Sequence, residues 1–236
     1  MSVAADEPVA LDRLGGEQIR TAHSAVKTRL RRGIISGEIP AGTRLVQADL
    51  AKMLAVSVTP VREAIRDLVS EGIVDFDQFR GATVHMPSVT ELDEVYELRR
   101  LLVPEAVRSG VAKITRSELE QAEALAAEMK ITVDPAGWID LNRRFHGVLD
   151  GASRRPHLQD FLARLADISA LYVGVSIGGN EGRRGRADRD HMQLVDMYTR
   201  GDEDGAVEVA LFHLEDTVEV ARNFVLKHQD SSLTAP

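Results

Sequence analysis

The stretch that decides the fold is Ser57–Val74, SVTPVREAIRDLVSEGIV. Val61, Ala64, Ile65, Leu68 and Val69 recur at i, i+3, i+4, i+7 and i+8, the apolar stripe of a helix that buries one face. Thr59 suits the N-cap of this helix. Pro60 suits its first position, where the missing N–H costs nothing. Arg62 and Arg66 are four residues apart and share the opposite face. Gly72 ends the helix, and β-branched residues follow it.

Upstream, residues 18–36 read as a helix stopped by SGEIPAG, where Gly37, Pro40 and Gly42 break and turn the chain. RLVQADLAKML gives a second, short helix. Leu50, Met53 and Leu54 share one of its faces, and Ala51 is small enough for a close helix crossing. AVSV is then a tight connector between two helices. Downstream, IVDFDQFRGATVHM alternates about a turn near Arg80-Gly81, as a two-stranded wing does. A short helix, a tight turn, a second helix with a free N-terminal end and a wing make a winged helix-turn-helix, whose second helix enters a major groove. An Arg-Gly wing tip lets guanidinium and backbone approach a minor groove or a phosphate. Two arginines alone would read as a solvated helix face; here cap, turn, stripe, wing and basic flank coincide.

Bulk properties fit a two-part chain. It has 236 residues, with 44% hydrophobic and only 4% aromatic, so its cores are aliphatic. There are no cysteines, which excludes disulfides and thiolate metal sites and fits a reducing compartment. No apolar run reaches the length of a membrane span, and the N-terminus lacks a signal pattern, so the expected location is cytoplasmic with no membrane partner. The net charge of −8 is unevenly placed. Residues 1–88 carry 11 Lys/Arg and 11 Asp/Glu, whereas residues 89–236 carry 18 and 26. Residues 20–66 hold nine bases against three acids. A basic head that binds a polyanion, on an acidic body that avoids one, explains this pattern.

From Thr90 onward six helical segments follow one another with no strand pattern between them. The expected fold class is therefore mainly α: an N-terminal winged helix-turn-helix plus a C-terminal antiparallel bundle of about six helices. The expected divisions are a loose tail over 1–17, the DNA-binding domain over 18–88, the bundle over 89–230 and a tail over 231–236. GGNEGRRGR, residues 178–186, reads as a flexible polar connection. His146, His191 and His213 fall in helix interiors, and Asn142 shares a helix face with His146, four residues away. Three imidazoles with an amide or carboxylate oxygen suit a divalent ion. Taken singly, each histidine reads more readily as an ordinary core or surface residue, and spacing alone barely changes that.

Residues 20–88 resemble the winged helix-turn-helix of the GntR superfamily of bacterial transcription regulators. The resemblance is carried by SGEIPAGTRLVQADLAKMLAVSVTPVREAIRDLVSEGIV and RGATV. It implies that Arg44, Arg62 and Gly81 meet DNA, with Thr59, Arg66 and Arg80 beside them. Val58 stands where the family usually has arginine, a loss of about 1–3 kcal/mol if that contact is bidentate. An operator that departs from the usual half-site is therefore expected. Ala55 replaces the common turn glycine, and a left-handed backbone there would cost about 1 kcal/mol.

Residues 90–228 resemble the FCD effector-binding domain of FadR-type members, through ELRRLL (97–102), NRRFH (142–146) and DHMQLVDMYTRGDEDGAVEVALFHLED (190–216). The resemblance implies a metal held by Asn142, His146, His191 and His213, with zinc first and nickel or manganese as alternatives. Asp is the commoner residue at position 142, so a neutral Asn leaves a weaker metal bond and a more positive site. Open coordination positions suit a small carboxylate metabolite, and Arg99 is the candidate clamp for it; solvated surface is an equal reading of Arg99. Val103 and Pro104 replace the family's acidic position, so a different bend of this helix is expected. His23, His85, His157 and His228 take no role.

The expected function is a metabolite-responsive transcription regulator, a homodimer on a short palindromic operator in double-stranded DNA, with a repressor released by its effector as the leading sign. It is not expected to be an enzyme. Two rivals stand beside this reading: a metal-dependent hydrolase that uses the three histidines to activate water, and a dimerisation bundle that senses nothing.

Overall fold

The computed structural model describes residues 12–177 and 181–232. Three helices and a two-stranded sheet form the head: α1 (Asp12–Ile35), α2 (Gln47–Met53), α3 (Val58–Ser70), β1 (Val74–Asp77) and β2 (Gly81–Val84). Six further helices follow: α4 (Val89–Val111), α5 (Arg116–Ile131), α6 (Pro135–Gly151), α7 (Pro156–Ile177), α8 (Glu181–Arg200) and α9 (Glu203–Ser232).

The stripe on α3 folds as its spacing predicts. Val61, Ala64, Ile65 and Leu68 are buried. Each of the larger three contributes about 1.5–3 kcal/mol against exposure. α1 and α2 pack against α3, and the wing strands pair antiparallel with Val74 opposite Val84 and Asp77 opposite Gly81. Ala55 has φ 53, so the turn between α2 and α3 does use a left-handed residue where glycine would be unstrained. The helix starts two residues earlier than the sequence indicated. Ser57 is its N-cap and Val58 its first residue, so Thr59 and Pro60 sit inside the first turn. Pro60 remains harmless there because the first N–H groups of a helix lack intrahelical acceptors.

Other boundaries also move. Helix α1 begins at Asp12, so residues 12–17 of the expected tail are helical, while residues 1–11 lie outside the described residues. Of the expected connection at 178–186, residues 181–186 open α8 and residues 178–180 lie outside the described residues. Residues 231 and 232 close α9 instead of starting a tail. Met53 is 70% exposed and leaves the core to Leu50 and Leu54. Helix α4 continues through Pro104 without interruption.

In the bundle, α4 packs against α9, α7 and α6, and α5 closes over α6 and α8. The ends of two helices are fixed by capping. Thr115 and Glu118 form a reciprocal capping box on α5, and Asp134 accepts from the Gly137 N–H at the start of α6. Head and bundle meet directly. Arg31 of α1, buried, pairs with Glu71 at the end of α3 and with Asp140 of α6. Gly174 of α7 lies so close to α1 that an added Cβ would stand 3.0 Å from the Ile35 carbonyl oxygen. His85, just after the wing, faces Asp75 at 3.0 Å and Glu91 of α4 at 2.8 Å.

Candidate functional site

On α6, Trp138, Asn142, His146 and Asp150 recur every four residues and form one ridge along the helix. The ridge meets His191 of α8 and His213 of α9. The ring centroids of His146 and His191 are 5.2 Å apart, those of His146 and His213 5.3 Å, and those of His191 and His213 4.8 Å. One nitrogen from each ring lies within 4.8 Å of the others. Aromatic neighbours hold the rings in place. Phe145 lies 4.8 Å from His191 between centroids, and Trp138, anchored by donating its indole N–H to Asp188, lies 5.8 Å away.

The electrostatics favour neutral imidazoles. Burial drives the pKa of His146 and His191 well below the ordinary histidine value, and the neighbouring His213 adds to the shift in both. His213 is lowered by burial too, against the pull of Asp190. Asp190 accepts from His213 Nδ1 at 3.1 Å, which fixes the tautomer and leaves Nε2 with its lone pair free.

Several donors in this centre have no protein partner. His191 is fully buried, and neither of its ring nitrogens makes a hydrogen bond. The Asn142 side-chain oxygen is also buried and unpartnered. An unsatisfied buried polar group costs about 1–3 kcal/mol. Three neutral imidazoles and an amide oxygen are the donor set of a divalent cation, which removes that cost, so the residues present fit the metal that the resemblance implied.

Arg99 of α4 is partly buried and lines two small cavities beside the histidines. One, of about 30 Å³, is walled by Val103, Val107, Leu149, Asp150 and Tyr198 together with His146 and His213. The other, of about 20 Å³, is lined by Asn142, His146 and Ser169. The Arg99 Nε is buried without a partner. Its place is thus inside the bundle, not on solvated surface. Asp140 points away from this centre to Arg31, as its six-residue offset from His146 requires.

In the head, the candidate DNA-contacting side chains of Arg44, Thr59, Arg62, Arg66 and Arg80 are exposed. Val58, Arg62 and Arg66 follow at intervals of four on the outer face of α3, and all three are exposed, as is Thr59. The two arginines make only loose contacts with Glu63, at 3.8 and 3.7 Å, which a phosphate displaces easily. Arg44 is exposed and its backbone bridges to Thr83 of the wing. At the wing tip the Asp77 carboxylate accepts from the backbone N–H groups of Phe79 and Arg80, both at 2.8 Å. Gly81 follows with φ 81, a conformation that favours glycine.

Sequence reasoning missed Asp190, Asp150, Tyr198 and His85. Asp190 carried a signal, since it precedes His191 directly, but its carboxylate serves His213 on the adjacent helix. The other three became visible only through packing.

The FCD domain model matches residues 94–216, and the model for bacterial regulatory proteins of the gntR family matches residues 22–84. The uncharacterized HTH-type transcriptional regulator YdhC of Bacillus subtilis (strain 168) is 25% identical over 195 residues, covering 81% of this chain and 87% of that protein. The gluconate operon transcriptional repressor of Bacillus licheniformis is 39% identical over 77 residues, covering 33% of this chain and 31% of that protein. Among solved structures, Escherichia coli McbR/YncC superposes with a TM-score of 0.70 at 21% identity, over 86% of this chain and 97% of that one. The domains and relatives indicate a transcription regulator in place of an enzyme. Among the described residues no helix is long and apolar enough to cross a membrane. The chain belongs to the GntR-family DNA-binding transcriptional regulators that carry an FCD domain.

Proposed function

We propose that the protein is a homodimeric repressor that leaves its operator when a small carboxylate binds in the bundle beside a divalent metal, zinc in the first instance. The observation that carries this reading is the convergence of His146, His191 and His213, with both His191 ring nitrogens unpartnered, beside a cavity that His146 and His213 share with Arg99. His146, His191 and His213 would hold the ion, with the Asn142 oxygen beside them. When bound, the ion supplies a positive, Lewis-acidic centre for a carboxylate oxygen. The Arg99 guanidinium supplies the complementary charge and hydrogen-bond donors on the protein side. Burial keeps the imidazoles neutral and water out, which strengthens both contacts.

On the DNA side, Arg62 at the start of α3 and Arg66 one turn later face the major groove. Arg80 and Gly81 approach the adjacent backbone or minor groove, and Arg44 and Thr59 contact phosphates. A dimer sets two such heads on a short palindrome. The relative named for repression of a gluconate operon resembles this chain over 77 residues only, which supports the sign of regulation and not the effector.

Coupling between the two ends runs through a physical junction. Asp140 lies two residues from Asn142 on α6, and Arg31 joins it to Glu71 at the C-cap of α3. A shift of α6 on ligand binding therefore reaches the recognition helix, and about 1–3 kcal/mol of coupling suffices for regulation.

The test is capture of sheared genomic DNA by the purified protein, with and without a chelator. Enrichment of a region containing an inverted repeat, with a steep loss of binding as salt rises, is expected. No enrichment at low salt, or binding insensitive to salt, overturns the DNA-reading assignment. Retention of the same fragments at the same affinity after metal removal and after addition of short carboxylates overturns the sensing assignment.

A further inference from the structure

The side of α3 that carries its exposed arginines is not polar throughout. Val58, the first residue of the helix, is 44% exposed and stands four residues before Arg62 and eight before Arg66. The core takes Val61, Ala64, Ile65 and Leu68 from this helix and leaves Val58 outside it. A β-branched side chain is held largely to one rotamer in a helix, so the two Val58 methyl groups form a fixed apolar knob at the N-terminal end of α3. That end is also open to a polyanion. Ser57, the N-cap, makes no side-chain hydrogen bond to the helix it caps. Its hydroxyl and the first N–H groups of α3 are available to a phosphate, which draws this end of the helix onto a duplex.

In the major groove an arginine reads guanine through O6 and N7, whereas the C5 methyl of thymine is matched by an apolar side chain. The valine side chain has neither donor nor acceptor, so the one base-specific group it can match is that methyl. Against any other base edge it displaces water and returns no hydrogen bond, which penalises the wrong base. Four residues of helix span about 6 Å, close to two base-pair steps of about 3.4 Å. The methyl therefore lies within about two base pairs of the base met by Arg62. Phe76 of β1, 62% exposed, lines the groove between α3 and the wing together with Arg62 and Arg66. It is a second apolar group beside the two arginines, but it lies outside the row on α3 and serves as a control.

We propose that Val58 is a specificity-determining residue that reads the C5 methyl of one thymine in each half of the operator. This rests on the DNA-reading assignment above and narrows it. Arg62 and Arg66 supply charge and hydrogen bonds to guanine or phosphate, and Val58 supplies the apolar contact one turn earlier. The operator therefore carries a T·A pair at the position that Val58 meets, and the methyl group itself, not the pairing of that base, is what the protein recognises.

The test is a fluorescence-anisotropy titration of the full-length protein with duplexes made from the captured genomic region, each thymine of the inverted repeat replaced in turn by deoxyuridine, which lacks only the methyl. One thymine per half-site should respond, with a loss of about fourfold in affinity for each half-site altered, the effect of one methyl-sized group returned to water. Val58→Ser should bring that ratio to within about twofold of one, whereas Phe76→Ala should leave it as in the parent. Val58→Arg should reverse the preference, binding the duplex with G·C in place of that T·A pair about fivefold or more tightly, because arginine reads guanine. The position is exposed, so the Val58 variants should keep the Tm of the parent. Tight binding that ignores deoxyuridine at every thymine, a ratio that survives Val58→Ser, or a ratio lost equally in Phe76→Ala overturns the inference while leaving the DNA-reading assignment in place. Failure to bind any of the duplexes at low salt removes that assignment and this inference with it.

Discussion

Replacing Arg31 by Met tests the junction that links sensing to reading. The substitution keeps most of the aliphatic stem and removes the guanidinium. Breaking a buried ion pair by deleting one partner costs about 3–5 kcal/mol. Three features of this site reduce that figure. Glu71, whose side chain is 11% exposed, keeps Lys27 at 2.8 Å. Asp140 is 38% exposed and regains water. The Arg31 Nη2 is already buried without a partner, so its loss removes a standing cost of about 1 kcal/mol. The net expectation is a destabilisation of about 1–2 kcal/mol, or a Tm lower by about 3–6 °C for a chain of this size. Urea denaturation and calorimetry read it out. In a double-mutant cycle with Asp140→Ala, the two changes should couple by about 0.5–1.5 kcal/mol. Zinc affinity of the intact protein should change less than about threefold, because the histidines do not touch Arg31, whereas release of captured DNA by a carboxylate should weaken by about fivefold or more. Additive single mutants, or full release in Arg31→Met, would refute the route.

The remaining expectations address each part in turn. His85 is raised to about 9, chiefly by Glu91 and further by Asp75, so its contribution is complete below the unfolded value near 6.5 and is lost as pH rises through about 9. Allowing for solvent screening, about 1–2 kcal/mol should disappear between pH 7 and 9.5, and His85→Gln should flatten that part of the Tm profile; a wild-type profile already flat there contradicts the assignment. Asn142→Asp should tighten zinc by about 10- to 100-fold in chelator competition, since it restores an anionic donor; unchanged affinity would show that this side chain does not reach the ion. Arg62→Ala should weaken capture of the enriched DNA by about 10- to 100-fold with stability held within about 0.5 kcal/mol, because the side chain is 56% exposed; unaltered DNA binding removes it from the reading face.

The head was legible because its rules are local. The α3 stripe, the turn and the wing depend on neighbours within a few residues, and each appears as read. The start of α3 moved because Thr-Pro imitates a cap and first turn, whereas the left-handed Ala55 turns the chain into the helix two residues earlier. In the bundle, the pairing of Asn142 with His146 followed from helical spacing. The approach of His191 and His213 did not, since it depends on how α6, α8 and α9 pack, and only resemblance to a family pointed to it. Contacts between distant segments, such as Asp190 with His213, Arg31 with Asp140 and Tyr198 against Gly110, leave no periodic trace in a single sequence.

The central claim is that three converging imidazoles, two of them buried, make one metal centre. It is tested most directly by elemental analysis of the full-length protein after equilibration with zinc and desalting, beside His146→Ala, His191→Ala and His213→Ala. The account predicts about one zinc per chain in the wild type and close to none in each variant. A wild-type protein that retains no metal, or variants that retain as much as it does, would contradict it.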